Sequence, residues 1–497
     1  MNARLAVRNL ALRPWRTVFL LFGYSLGVAV MIVLLSVGEA LVTQARDERL
    51  VGGGDITVLP EGIDIEVLKT GGLGGLFFSI DHARFVYAQL LAAPRLTPDI
   101  VTVAPQIEGK LLYLRTPTGH ELPVMASGDI PSRIQTLGAL PPLKAGTWRD
   151  DSADARWRDP TPAELRDAID HFHLPPAEAR HDPTWAEWHY FNVLSPDRKR
   201  WAFISFIVAG EVPDGRWGGQ VLVTLHEQGG RSRRFVATVP ATAVQLSTNR
   251  ANLVIGSSGV TLLPDGRYDV RARATEEGAR ATVDVHLTVA PAAGAYFPGA
   301  ALSSVGLVSG YVVPALRADA TGRICVDGSC ERLADTQSYH DHNWGVWRGV
   351  TWEWGAARAG QYTFLYGRVQ PADSVAASQP LFVYVVDSLG FLSLFRPREI
   401  RYVDGRVVRS GDTMVRVPSH ATLIDARGDD TLRIDIDIED ATATDTRRPS
   451  VERGDASTAR RLDHPFFIQM KGVARIAGRV RGHALVGTGA GFFETYR

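Results

Sequence analysis

Cysteine is nearly absent: the 497 residues include only 2, Cys325 and Cys330. Two thiols cannot make a four-thiolate zinc site or a disulfide-dense scaffold. An excess of charge of either sign is absent too, since Lys+Arg and Asp+Glu both number 54. A balanced surface sets up no long-range field for a polyanion, which sets nucleic acid aside as a partner. Long apolar runs are scarce. Thr17 to Gly38 is uncharged and mostly apolar, long enough for a membrane-spanning helix of roughly 20 residues. The other uncharged stretch, Leu287 to Leu316, is broken by Pro291, Pro298 and Pro314 and diluted by glycine and serine. It reads as turns and short strands, so one membrane crossing is expected.

Arg4, Arg8, Arg13 and Arg16 precede the apolar run, and Glu39, Asp47 and Glu48 follow among Arg46 and Arg49. This bias places the N-terminus in the cytoplasm and the bulk of the chain outside, as a single-pass inner-membrane protein. The alternative is a cleaved signal peptide, whose apolar core is about 7–15 residues and ends in a small-residue cleavage site. Here the run is longer and no such site is evident. An extracytoplasmic setting favours a disulfide between Cys325 and Cys330, because Asp327-Gly328 between them is a hairpin-turn signal. Free thiols or half of a metal site are the alternatives.

Glycine (48) and proline (28) are plentiful, which favours turns and β structure. Residues 1–45 read as a basic tip and membrane helix, and 46–150 as a small α/β segment. Within it Ile80 to Ala93 is expected as a helix, and Lys110–Arg115 and Glu121–Met125 as strands around Thr116–Gly119. Residues 151–184 read as a linker with a short helix, started by Thr161 as N-cap, Pro162 and Glu164 in a capping box. From Trp185 on, short β-rich runs alternate with turn signals such as Pro264-Asp265-Gly266 and Asp404-Gly405. That texture predicts antiparallel β domains over 185–345 and 346–497. In Leu432–Glu439 the isoleucines 434, 436 and 438 share one face, and Asp435, Asp437 and Glu439 the other, which reads as solvated.

Chemistry-bearing residues concentrate in Tyr339-His340-Asp341-His342-Asn343-Trp344-Gly345, followed by Trp347, Trp352 and Trp354. On a strand, Tyr339, Asp341 and Asn343 point one way and His340, His342 and Trp344 the other. His340 and His342, with Glu187 or His189 as third donor, have metal-ligand spacing. A further clearly placed carboxylate is lacking, so no metal and no cofactor are expected.

Two resemblances bear on function. Val7-Arg8-Asn9-Leu10, Arg13–Thr17, Gly53–Pro60 and Val103–Lys110 resemble the first helix and periplasmic core of MacB/FtsX-like permeases of ABC transporters. That implies partner permease or ATPase subunits, although this chain lacks the later membrane helices of such permeases. Trp185–Asn192, Tyr339–Gly345 and Gly487–Arg497 resemble the carotenoid 1,2-hydratase (hydroxyneurosporene synthase)/AttH-like family. This second resemblance implies two lipocalin-like β-barrels or sandwiches over about 181–497. The expected fold is therefore mainly β, preceded by one transmembrane helix and a small α/β periplasmic-core-like domain. It also implies protonation of an isolated C=C and capture of the cation by water, or a related isomerisation, on an apolar isoprenoid or lipid-like ligand. Asp341 then becomes the candidate acid, with His340 and His342 to tune or re-protonate it. Trp188, Tyr190, Tyr339, Asn343, Trp344, Trp352 and Trp354 would line the pocket, and Glu187 and Asn192 would position water. The same cluster could instead satisfy buried polar groups without catalysis. A ligand-binding lipocalin and a transporter accessory subunit remain the competing functions.

Overall fold

The computed structural model describes residues 14–46, 56, 80–92, 95, 97–137, 149–158, 160–229, 232–304, 307–347, 349–370, 380–445 and 465–497. Val7–Leu10, Arg13, most of Gly53–Pro60 and the arginines at 4 and 8 lie outside the described residues. Two compact units are distinguished, one of residues 1–79 and 102–155, the other of 80–101 and 156–497.

In the first unit a helix runs Pro14–Arg46. Its Pro14–Ser36 part is long and apolar enough to cross a membrane. Phe19, Phe22, Leu34 and Leu35 are exposed on it. The strands Gln106–Arg115 and Glu121–Asp129 form a two-stranded antiparallel ribbon, longer than the sequence reading allowed. Gly119 (φ 86°) takes the left-handed position in its turn.

The second unit opens with the helix Ile80–Ala92, which packs against the helix Pro162–Asp170. The latter starts with a reciprocal capping box between Thr161 and Glu164, so two otherwise orphaned N–H groups are satisfied. Beyond it the chain is mainly β. Eight strands close into an antiparallel barrel: Trp185–Leu194, Arg200–Gly210, Trp217–Glu227, Arg233–Pro240, Tyr268–Glu276, Thr282–Pro291, Leu307–Val326 and Ser329–Val346. Closure comes from Tyr268–Glu276, which pairs with Arg233–Pro240 on one side and Thr282–Pro291 on the other. Closing the ring removes the exposed strand edges that an open sheet carries. Cys325 and Cys330 face each other in register across the last hairpin and are joined by a disulfide. Asp327 (φ 49°) and Gly328 (φ 82°) make the turn between them.

A second antiparallel sheet of nine strands spans Thr351 to Tyr496, with Gly390–Phe395 and Arg401–Ser410 at its edges. No ladder joins those edges among the described residues. Ile434, Ile436 and Ile438 enter its core, as the alternation predicts. The opposite row is paired as well as solvated: Arg433 and Thr422 hold Asp435, and Arg475 and His420 hold Asp437.

Three apolar cores result. One fills the barrel, with Phe191, Phe206, Phe235 and Tyr268. Another lies within the second sheet, with Phe364, Tyr366 and Phe493. The third is the junction where the two sheets meet back to back, with Tyr190, Tyr339, Trp354, Phe382 and Phe492.

Candidate functional site

The strand Ser329–Val346 lies between the barrel interior and the sheet junction, and its alternation divides the motif between them. It is flanked in register by Trp185–Leu194, with Asp341 opposite Tyr190 and His342 opposite His189. Both strands therefore present the same parity to each side.

On the junction side Asp341 is 4% exposed. Tyr339 Oη donates to its Oδ2 at 2.8 Å, and Asn343 Nδ2 donates to its Oδ1 at 2.7 Å. Trp354 Nε1 donates in turn to Tyr339 Oη at 2.8 Å. Burial pushes the Asp341 carboxyl up to about 6, against the pull of these donors. Glu494, on the closing strand His483–Tyr496, accepts from Trp352 Nε1 at 2.8 Å. Burial pushes Glu494 up to about 7, with the Asp341 charge adding to the effect. The Tyr190 hydroxyl feels both carboxylates and is held far above its ordinary value, chiefly by burial. Trp188 packs on Trp347 and Trp352, with ring centroids 4.8 and 6.3 Å apart. Asn192 is buried on the same side, opposite Tyr339.

On the barrel side the side chains form a second polar group, and its centre is Asp170, the last residue of the Pro162–Asp170 helix. Asp170 is 0% exposed. His340 Nε2 lies 3.0 Å from its Oδ2, His342 Nδ1 lies 2.9 Å from its Oδ1, and Tyr268 Oη donates to Oδ2 at 2.7 Å. Burial alone would raise this carboxyl, but the surrounding histidines hold it well below the usual carboxylate range. His342 continues through Nε2 to Glu187 Oε1 at 2.8 Å. Burial disfavours the His342 imidazolium, yet bonds to both carboxylates raise it to about 9. Glu187 Oε1 also meets His173 Nδ1 at 3.0 Å and accepts from the His173 backbone N–H at 2.7 Å. Trp344 stacks on the His173 ring at 3.6 Å. His340 Nδ1 donates to the Tyr190 carbonyl at 3.0 Å.

The residues singled out in the sequence thus fall into two sets. Tyr339, Asp341, Asn343, Trp188, Tyr190, Asn192, Trp352 and Trp354 come together at the junction. His340, His342, Glu187 and Trp344 belong to the barrel side. Neither histidine bonds to Asp341, because neighbouring residues of one strand cannot share a face. Glu187 likewise binds histidines there, so it does not serve Asp341's side. Sequence reasoning missed Asp170, His173, Tyr268 and Glu494. His171-Phe172-His173 directly after an amphipathic helix was a usable signal, whereas Asp170 sits at a helix end where strand parity says nothing.

No family model and no curated protein sequence matches the chain. Among solved structures, an AttH-type protein of Nitrosomonas europaea is similar at 15% identity and a TM-score of 0.43, covering 65% of this chain and 96% of its own. CghA in complex with Sch210972 is similar at 15% identity and a TM-score of 0.42, covering 68% and 96%. Kievitone hydratase from Nectria haematococca follows at 11% identity and a TM-score of 0.39, covering 66% and 94%. At these identities and TM-scores nothing about ligand or reaction transfers to this chain.

Proposed function

We propose that the chain is a membrane-anchored, extracytoplasmic protein whose sheet junction takes an apolar, unsaturated isoprenoid or lipid-like ligand and acts on it as a hydratase or isomerase. One observation carries this reading. A buried carboxyl, Asp341, is held by Tyr339 and Asn343 where aromatic side chains of both sheets converge. The resemblance of Tyr339–Gly345 to the hydratase family points the same way. In this reaction Asp341 in its acid form gives its proton to one alkene carbon, and the π electrons form the new C–H bond. The cation left on the other carbon faces the indole and phenol rings of Trp188, Trp354 and Tyr190, whose π-faces stabilise positive charge. Water adds there and loses a proton to a carboxylate. The Asp341 carboxylate left by the first step takes that proton back, which restores the acid.

A second reading is a binder without turnover. It is favoured by the engagement of both Asp341 oxygens with donors of its own strand, as in a purely structural network. Asp341→Asn separates the two readings. The enzyme reading expects turnover of the co-purifying ligand, identified by mass spectrometry, to fall by about 10²–10⁴-fold with binding and melting temperature retained. Unchanged conversion, or a matching loss of stability, would leave the binder reading. Orientation is tested separately: a C-terminal alkaline phosphatase fusion should be active, and an inactive one would place the sheets in the cytoplasm.

A further inference from the structure

The barrel side holds a donor set that the junction chemistry does not use. His173, Glu187 and His342 each offer one ligand atom, and these atoms all lie within 4.8 Å of one another. His342 Nε2 and His173 Nδ1 stand 2.8 and 3.0 Å from the same oxygen, Glu187 Oε1. A tetrahedral ion with bonds of about 2.0–2.1 Å sets its ligands roughly 3.3 Å apart, so small shifts admit it. Glu187 is 0% exposed, yet its Oε2 has no hydrogen-bond partner among the described residues. A buried carboxylate oxygen left alone is costly unless something else meets it.

The surroundings are those of a supported site. The second ring nitrogen of His342 is engaged by Asp170, which Tyr268 and His340 fix from behind. A metal-binding imidazole is typically oriented in this way by a carboxylate on its far nitrogen. Trp344 stacks on His173 with ring planes 9° apart and so sets that ring's orientation. The His173 side chain is 23% exposed, so of the three donors it is the one that reaches solvent. The neighbouring group Asp170, His189 and His340 has the right donors but is wholly enclosed.

We propose that His173, Glu187 and His342 bind one divalent transition-metal ion of the zinc class, with an open fourth position. Two imidazoles and one carboxylate suit Zn²⁺ and its spectroscopic stand-in Co²⁺, and do not suit Ca²⁺ or Mg²⁺. The ion replaces the direct contacts that His342 Nε2 and His173 Nδ1 now make with Glu187 Oε1. The assignment stands independently of the reaction at Asp341, which faces the other way.

The test uses the full-length chain in detergent, stripped with EDTA and titrated with Co²⁺ and then Zn²⁺. The expected result is one equivalent of Co²⁺ with visible d–d bands of low coordination number, bleached by one equivalent of Zn²⁺. His173→Ala, a change at a partly exposed position outside the strands, should weaken Co²⁺ binding by more than roughly 100-fold with the far-UV circular dichroism unchanged. Asp170→Asn should weaken it by about 10–100-fold, the usual size of an outer-shell effect. His189→Gln should leave the bands in place. Absence of saturable binding overturns the proposal, and so does binding that survives both His173→Ala and Glu187→Gln. Bands lost in His189→Gln but kept in His173→Ala would put the ion in the enclosed group and equally refute the assignment.

Discussion

The two sides of the strand Ser329–Val346 differ in how they settle their charges. On the barrel side, carboxylates meet imidazoles: Asp170 and Glu187 are bridged by His342, and His340 closes on Asp170. On the junction side, carboxyls meet neutral donors only: Tyr339 and Asn343 for Asp341, Trp352 and Gln469 for Glu494. The consequence appears in the proton affinities. Opposite charges hold Asp170 well below its ordinary value, while burial lifts Asp341 to about 6, outweighing its donors and the more distant His340 and His342, and lifts Glu494 to about 7. One peptide segment thus carries a charge-compensated cluster on one side and proton-retaining acids on the other.

The contrast is broken most severely from the barrel side. Asp170→Ala leaves His340 and His342 buried without their counter-charge, and loss of one partner of a buried pair costs about 3–5 kcal/mol. We expect chemical denaturation to show a loss of that size, and a loss under 1 kcal/mol would mean that water replaces the carboxylate. The junction side should respond to pH instead. The folded-state value of Glu494 lies near 7, above its ordinary 4.5. Folding therefore retains a proton that the unfolded chain gives up. The associated stability is fully present below about pH 4.5 and is lost as pH rises to about 7. Part of the Glu494 residue reaches solvent, which discounts the amount to about 1–3 kcal/mol. Glu494→Gln should flatten this part of the stability–pH curve and stabilise the protein at pH 8; an unchanged slope across pH 4.5–7 would remove Glu494 from the acid set.

The smallest expected effect sharpens the comparison within the junction. Tyr339→Phe deletes the donor to Asp341 and the acceptor for Trp354 Nε1, which costs about 1–2 kcal/mol. The same change should raise the Asp341 titration followed by NMR, because a donor to the carboxylate form is gone. A lowered titration point would show that Tyr339 does not act as donor.

Much of this division was legible in residue order. Alternation alone sends His340 and His342 away from Tyr339, Asp341 and Asn343, and the Thr161–Glu164 capping box locates the helix that delivers Asp170. The same parity rule applied to Trp185–Leu194 would have put Glu187 beside His189 and apart from Trp188, Tyr190 and Asn192; nearness in sequence obscured it. Trp344 shares the parity of His340 and His342, which separates it from Trp352 and Trp354 despite the common residue type. What no local pattern carries is the arrival of Asp170, 172 residues before its partner His342, or of Glu494 from the far end of the chain. Those depend on which strands become neighbours, a property of the whole sheet order.

The closure of the eight-stranded barrel has a consequence in time. His340 bonds to the Tyr190 carbonyl across 150 residues of sequence, and Trp185–Leu194 cannot pair on that flank until Ser329–Val346 exists. At a synthesis rate of about 5–20 residues per second, the early strand waits roughly 8–30 s for its late neighbour. During that wait its free backbone edge is open to any passing strand, including the same strand of another nascent copy. The bonds of His340 and His342 to Asp170 and Glu187 therefore form only at this last seam, the junction cluster waits longer still for Trp354 and Glu494, and premature termination before Ser338 yields a chain that has every earlier strand of the barrel and neither cluster.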